Sequence, residues 1–587
     1  MCASRHGQAF PITEIAAECD FQRAGSTLRA HQIVGTLGHA PEGLHTKGNA
    51  VGAARISGPD LAAGRLPVVL SPLFFPFRLG WRANPGPWEG SEGEEDGIQY
   101  GFLIDHRRCI GCHACTVACK AENDVPVGSF RTWVQYAEKG RFPAVRRHFA
   151  VLRCNHCTTA PCVTICPVHA LEKRSDGIVD LDREACIGCR ACMQACPYDA
   201  LYLNDATGAV EKCHFCAHRV EKGLEPACVV ICPEKAIISG DLHDPASPVS
   251  RMVAALDTEV RRPEQKTGPN VHYVGHEPSM LRPGSAARPP TFLWSERPPQ
   301  KSEPWPAELP VQPETRTVLD AGHKVEWGGA VGLYMVTKSV AAGVPMLAPF
   351  AAFLGGQGFG AGCRPEIIAL VFTLATCGLL AHDLARPWLF FRLLTRANWR
   401  SWLVKGTAVL ALFSALLLAS VAFCLAGLHA PAHALRPLSA LVALAVAGYT
   451  AFLFGQCEGR DLWQSRLLLP HLLVQAVLCG AAVDLVLAPT SCSLRILLVT
   501  AGLAHMALAL AERYRRHATE NARQAAAFLG ELGSGASRLF RDGLLVGVVL
   551  AALFTVLAPR LAWGPVLMGL VLYDAAYVRA GQLPPLS

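Results

Sequence analysis

The sequence predicts two unlike halves: a small α+β, ferredoxin-like domain held together by cysteines, then an all-α transmembrane bundle of about eight helices. Three observations carry this. Four cysteine runs fall between Cys109 and Cys232. Twelve prolines follow between Pro263 and Pro313. From Trp327 onward, apolar stretches of bilayer length succeed one another.

The runs are Cys109-x2-Cys112-x2-Cys115-x3-Cys119, Cys154-x2-Cys157-x4-Cys162-x3-Cys166-Pro167, Cys186-x2-Cys189-x2-Cys192-x3-Cys196-Pro197 and Cys213-x2-Cys216-x11-Cys228-x3-Cys232-Pro233. Three thiolates on a tight loop suit three irons of a cubane, and the fourth, at the start of a helix, reaches a different cluster. Sixteen ligands predict four 4Fe-4S clusters. A disulfide framework suits short secreted chains, and structural zinc has no use for a third close cysteine followed by x3-Cys-Pro. The eight other cysteines, Cys2, Cys19, Cys363, Cys377, Cys424, Cys457, Cys479 and Cys492, suggest no second metal constellation. The formal charge of +7 is spread along the sequence without a basic, aromatic-studded patch, which excludes nucleic acid as a partner.

Residues 1–96 lack sustained periodicity and end in the acidic stretch Glu92 to Asp96, which reads as a low-complexity, disordered segment without an export leader. Residues 97–250 form the cluster domain. Within it Val125 to Leu152, with Arg131, Arg146 and Arg147, reads as strand and loop facing solvent or a partner. Residues 251–323 read as a proline-rich strap or linker along the surface, because proline favours extended backbone. Residues 324–587 form the membrane domain.

Spans are predicted near 328–354, 366–384, 402–428, 437–456, 467–488, 493–511, 541–558 and 561–578. An even number returns the C-terminus to the side of the cluster domain. That side holds Arg386, Arg392, Arg396, Arg400, Arg460, Arg466, Arg513, Arg515, Arg516, Arg523, Arg538, Arg541 and Arg579; the opposite loops hold Arg364, Arg436, Arg495 and Arg560. The positive-inside rule makes the crowded side cytoplasmic, so the expectation is a multi-pass inner-membrane protein with its clusters in the cytoplasm. Polar residues inside spans are functional candidates by default. Tyr334, Lys338, His382, Asp383, Glu458, Asp461, His471 and His505 all fall toward the cluster side, where they suit the head group of a menaquinone or ubiquinone. Gln456, Gln475 and Glu512 join them, and Asp484 lies near the far face. Haem would require an axial pair, for which His471 and His505 are the plausible choice within the spans.

The four runs resemble the four-cluster iron-sulfur subunit of membrane-bound molybdopterin oxidoreductases such as dimethyl sulfoxide, polysulfide and tetrathionate reductases. The segments Thr337 to Gly343, Asp383 to Pro387, Asn398 to Leu403 and Gly459 to Ser465 are similar to the polysulfide-reductase, NrfD-like membrane subunit. The resemblance implies a fusion of two subunits usually made apart. It also implies a ligand exchange: Cys109, Cys112 and Cys115 with Cys232; Cys213, Cys216 and Cys228 with Cys119; Cys154, Cys157 and Cys162 with Cys196; Cys186, Cys189 and Cys192 with Cys166. Run one has Lys120 where the others have proline, which alters its turn but not its ligand count. A separate molybdopterin-containing catalytic subunit is implied, with an inorganic sulfur compound as first substrate and a cytoplasm-facing, sulfite dehydrogenase-like arrangement. The expected role is electron transfer between that subunit and membrane quinone. The rivals are a quinol-oxidising module like alternative complex III and a tether without a quinone site.

Overall fold

The computed structural model describes residues 97–140, 143–287, 312–322, 324–350, 354, 362–531 and 534–586. The segment expected to be disordered at 1–96 and the middle of the strap lie outside them. In the cluster domain β1 (Tyr100–Asp105) is the centre of a three-stranded sheet, antiparallel to β8 (Ile237–Asp241) and parallel to β9 (Val271–Val274). A second sheet runs β10 (Ala286–Ala287), β11 (Gln312–Leu319), β2 (Thr132–Lys139), β3 (Arg146–Arg153). Two hairpins, β4 (Leu171–Lys173) with β5 (Val179–Leu181) and β6 (Leu201–Asn204) with β7 (Ala209–Lys212), separate runs two, three and four.

A short helix inside each run carries its third cysteine. In runs two, three and four the helices Pro161–Ile165, Ala191–Ala195 and Ala227–Val230 stop short of the fourth cysteine. Proline after that cysteine disfavours helical backbone at the residue before it, and Cys166 and Cys196 are accordingly extended. With Lys120 in place of proline, the helix of run one continues through Cys119 to Asn123.

The proline-rich strap does more than lie along a surface. Val271–Val274 and Gln312–Leu319 are strands of the two sheets, and the β11 pairing with β2 carries the domain's hydrogen bonding to the edge of the membrane half. Their apolar and β-branched residues fall between prolines, in stretches long enough to pair.

Eight helices among the described residues are long and apolar enough to cross a membrane: span 1 (Gly329–Phe350), span 2 (Arg364–His382), span 3 (Trp402–Leu425), span 4 (His429–Gly455), span 5 (Leu468–Leu487), span 6 (Cys492–Tyr514), span 7 (Gly535–Leu557) and span 8 (Pro559–Gln582). Span 4 starts earlier than its apolar run, since Pro437 is accommodated within the helix. Span 7 also starts earlier and contains a π-helical segment, Leu545–Leu550. Span 1 is the most buried of the eight and packs against spans 2, 4, 5 and 8. Its crossing with span 5 is backbone on backbone: a Cβ on Gly480 would lie 2.5 Å from the Gly343 carbonyl oxygen.

The loops after spans 2 and 4, the approach to span 1 and the residues that end and follow span 8 receive the cluster domain. Arg386 donates to the carbonyls of Thr207 (2.7 Å), Arg183 (2.8 Å) and Cys186 (3.1 Å). Asn398 Nδ2 donates to the Cys166 carbonyl (2.8 Å) and Ser401 Oγ to that of Ile165 (2.7 Å). At the other end of the seam Gln194 Nε2 donates to Gln582 Oε1 (3.1 Å), while Arg460 donates to Gln194 Oε1 (2.9 Å) and the Gln582 carbonyl (3.3 Å). Arg261 reaches the Leu586 carbonyl (2.8 Å). Arg386 and Arg460, two of the arginines crowded on this side, therefore also dock the domain.

Two consequences are measurable. Gly480→Val should force spans 1 and 5 apart, an overpacking cost of at least about 1–3 kcal/mol, seen as a lower melting temperature in detergent. Arg460→Met leaves Gln194 and Gln582 with unmet buried groups, about 1–3 kcal/mol, whereas Arg466→Met, exposed on the same loop, should leave the melting temperature unchanged.

Candidate functional site

The sixteen run cysteines gather into four groups of four. Cys109, Cys112, Cys115 and Cys232 line one cavity. Cys119, Cys213, Cys216 and Cys228 line a second, and Cys166, Cys186, Cys189 and Cys192 a third. Cys154, Cys157, Cys162 and Cys196 interact as the fourth group. Each group takes three sulfurs from one run and one from another. Among the described residues no three His, Cys, Asp or Glu side chains close on a single ion; sulfurs ringed around a wider hole suit a cubane better than zinc. Burial pushes the thiols of Cys115 and Cys216 up to about 11 and those of Cys157 and Cys189 to about 12. Iron must therefore displace protons from buried thiols as it binds.

The groups form a series. Cys115 is within electrostatic reach of Cys228, Cys213 of Cys154, and Cys192 of Cys162. At one end Cys112 is exposed, as are Ile110 and Val117 of run one and Val230 and Ile231 of run four. At the other end the Cys186 group presses on the membrane loops. Gly188 lies in the left-handed region with its missing Cβ aimed at Ala385 (2.6 Å), so a side chain there would lift the group away. Trp327 Nε1 donates to the Cys189 carbonyl (3.3 Å), and its ring stacks on Trp463 (5.6 Å between centroids), which stacks on Phe454 (4.7 Å).

Beneath this stack the structure brings together some of the residues expected at a quinone head group and separates others. Tyr334 and Lys338 are buried, and Lys338 Nζ donates to Thr450 Oγ1 (2.6 Å) and the Ala447 carbonyl (3.1 Å). His471 and His505 are buried, with His471 Nε2 2.8 Å from His505 Nδ1. That contact leaves no room for a porphyrin between them, so they are not an axial haem pair. Glu512 accepts from Tyr573 (3.2 Å) and Ser465 (3.2 Å) and lies 3.4 Å from His471 Nδ1. Gln475 Nε2 donates to Asp574 Oδ1 (2.9 Å), leaving Asp574 Oδ2 and Gln475 Oε1 buried and unpartnered. Asp484 is fully buried with both carboxylate oxygens unpartnered.

The other four expected residues are elsewhere. His382 and Glu458 are exposed. Asp383 pairs with Arg190 (3.0 Å) and Asp461 accepts from Gln265 (3.2 Å), so both belong to the docking seam. Likewise Arg131, expected at the surface, is buried and paired with Glu211 (2.8 Å), whereas Arg146 and Arg147 are exposed. The residues missed were Thr450, Tyr573 and Asp574. An acid at Asp574, within an apolar stretch, was the readable signal; the threonine and tyrosine had none.

Three segments of the sequence match known families. Residues 145–242 match the 4Fe-4S dicluster domain, residues 107–124 a 4Fe-4S binding domain, and residues 317–562 the family "Polysulphide reductase, NrfD". The B subunit of tetrathionate reductase from Salmonella typhimurium is 42% identical over 240 residues, 40% of this chain and 92% of that protein. A putative dimethyl sulfoxide reductase iron-sulfur protein of Halobacterium salinarum is 44% identical over 214 residues, 31% of this chain and 82% of that protein. The corresponding component of polysulfide reductase from Wolinella succinogenes is 39% identical over 173 residues, 29% of this chain and 90% of that protein. The protein thus belongs to the family of iron-sulfur electron-transfer subunits of reductases, joined in one polypeptide to an NrfD-type membrane domain.

Proposed function

We propose that this protein carries electrons through four 4Fe-4S clusters between a separate molybdopterin-containing catalytic subunit and membrane quinone. The observation that carries the reading is the series of four-cysteine groups, running from an exposed end to the roof of a buried polar network. Each cluster, when bound, supplies a one-electron carrier. The cysteines would hold the clusters with the ligand exchange already described. The exposed apolar residues around Cys112 suit docking of the catalytic subunit. Relatives named for tetrathionate and polysulfide reduction support an inorganic sulfur compound as its substrate.

At the membrane end Tyr334, Lys338, His471 and His505 would serve the quinone head group, with Glu512, Tyr573, Gln475 and Asp574 exchanging protons behind them. The unpartnered oxygens of Asp574 and Gln475 support a network that takes up a further donor. The exposed or docking residues His382, Asp383, Glu458 and Asp461 have no direct part in it.

We place the clusters on the cytoplasmic side of an inner membrane. Besides the arginine count, a disulfide between Cys363 and Cys424 supports this, because it joins the start of span 2 to the end of span 3 on the face away from the clusters. Disulfides persist in oxidising compartments. An ion pair between Arg436 and Glu366 (2.6 Å) clasps the same face.

The purified protein should carry about sixteen iron atoms per polypeptide. Lys338→Ala and His471→Ala should each abolish reduction of a soluble quinone analogue by the dithionite-reduced protein at unchanged iron content; full retention in both would leave the tether reading. A phosphatase fused after Ser587 should be inactive in cells, and an active fusion reverses the orientation.

A further inference from the structure

The cavity of Cys119, Cys213, Cys216 and Cys228 contains a charge that the fold does not neutralise. Arg153 is the last residue of β3, opposite Thr132 in the ladder, and directly precedes Cys154. This pairing fixes its backbone, and its fully buried side chain lines the cavity. Nη1 lies 3.2 Å from Cys228 Sγ, and the guanidinium carbon sits 4.4 Å from the centre of the Phe102 ring. Nε and Nη2 have no hydrogen-bond partner, and among the described residues no carboxylate pairs with it. Arg131 lines the same cavity but is balanced by Glu211 (2.8 Å). At the third cavity Arg190 is balanced by Asp383 (3.0 Å).

A buried, unpaired guanidinium is costly unless a counter-charge meets it. The counter-charge available is the thiolate set itself. A cluster held by four thiolates is anionic, and one-electron reduction makes it more so. Positive charge and N–H···S hydrogen bonds beside it stabilise the reduced form more than the oxidised one. Asn123 adds weaker contacts from Nδ2, 3.6 Å from Cys119 Sγ and 3.8 Å from Cys216 Sγ.

We propose that Arg153 sets the reduction potential of the cluster held by Cys119, Cys213, Cys216 and Cys228, keeping this second position in the series more readily reduced than its ligands alone would make it. This rests on the reading that those cysteines hold a cluster. Arg153 is a positioning residue for electrons: it holds no iron and touches no substrate. A smaller effect falls on the Cys109 group, because Cys115 is also within reach of the guanidinium.

The test is an EPR-monitored redox titration of the purified full-length protein alongside Arg153→Gln and Arg153→Lys. The Gln variant should retain its iron and show one cluster whose ratio of oxidised to reduced form rises at least tenfold at fixed potential, about 59 mV for one electron. The Lys variant, which keeps the charge, should move in the same direction by less. Wild-type midpoints for all clusters in an iron-replete Gln variant overturn the proposal, as does a Lys shift equal to that of Gln. If the Gln variant loses the cluster, the neutral Arg153→Met variant decides, and a midpoint identical to wild type there overturns the proposal. A wild-type protein with fewer than four clusters by iron content and EPR would instead sink the reading on which it rests.

Discussion

Each four-cysteine group borrows one sulfur from a run other than its own, and the cluster domain is organised around that exchange. Run one can reach Cys232 only if the two ends of the cysteine region meet. The antiparallel pairing of β1 with β8 makes them meet: Ile104 faces Ile237, so the strand entering run one lies beside the strand leaving run four. The two central runs are brought together by their short helices, which pack on each other. The surrounding sheets are small because the cysteine groups occupy the space a hydrophobic core would otherwise fill, and the buried sulfurs belong to the same apolar clusters as Ile165, Ile187 and Phe215.

The junction with the membrane half follows different physics. One set of its contacts is side chains donating to backbone carbonyls of runs two and three, among them Arg386, Asn398 and Ser401; another joins side chains, as Gln194 with Gln582 and Arg460. Carbonyls at the ends of short helices and tight loops have no partner of their own. The docking loops supply donors to them, which fixes the last cysteine group above the bundle. Having both halves in one polypeptide adds β11, which pairs with β2 before the backbone enters span 1. Inside the bundle lipid offers no hydrogen bonds, so polar groups of spans 1, 4, 5, 6 and 8 turn inward and bond to one another, leaving Asp484 and one oxygen each of Gln475 and Asp574 unpartnered among the described residues.

The cysteine runs were legible because spacing along the sequence is itself the chemical signal: three close sulfurs, a fourth four residues on, and in three runs a proline right after it that keeps the fourth out of the helix. The spans were legible because bilayer thickness sets their length. Their starts were less so, since a proline such as Pro437 does not end a helix when the surrounding bundle holds it. The polar residues were visible one by one, but their grouping was not. Tyr334, Lys338, His471 and His505 share the interior with Thr450, Tyr573 and Asp574, while Asp383 and Asp461 turn to Arg190 and Gln265. Helical rotation and the approach of neighbouring elements decide that division, and neither is written in residue type.

The sequence by itself determined the iron-sulfur ligand chemistry, the stretches long and apolar enough to cross a membrane and the asymmetry of charge, because each depends on residues close together along the backbone. Only the tertiary structure decided which buried charges are balanced. Arg131 meets Glu211 across 80 residues, whereas Arg153 meets no carboxylate among the described residues and faces sulfur. Likewise only the fold joined Cys363 to Cys424, 61 residues apart. Such pairings depend on distances between segments that meet only when the protein folds.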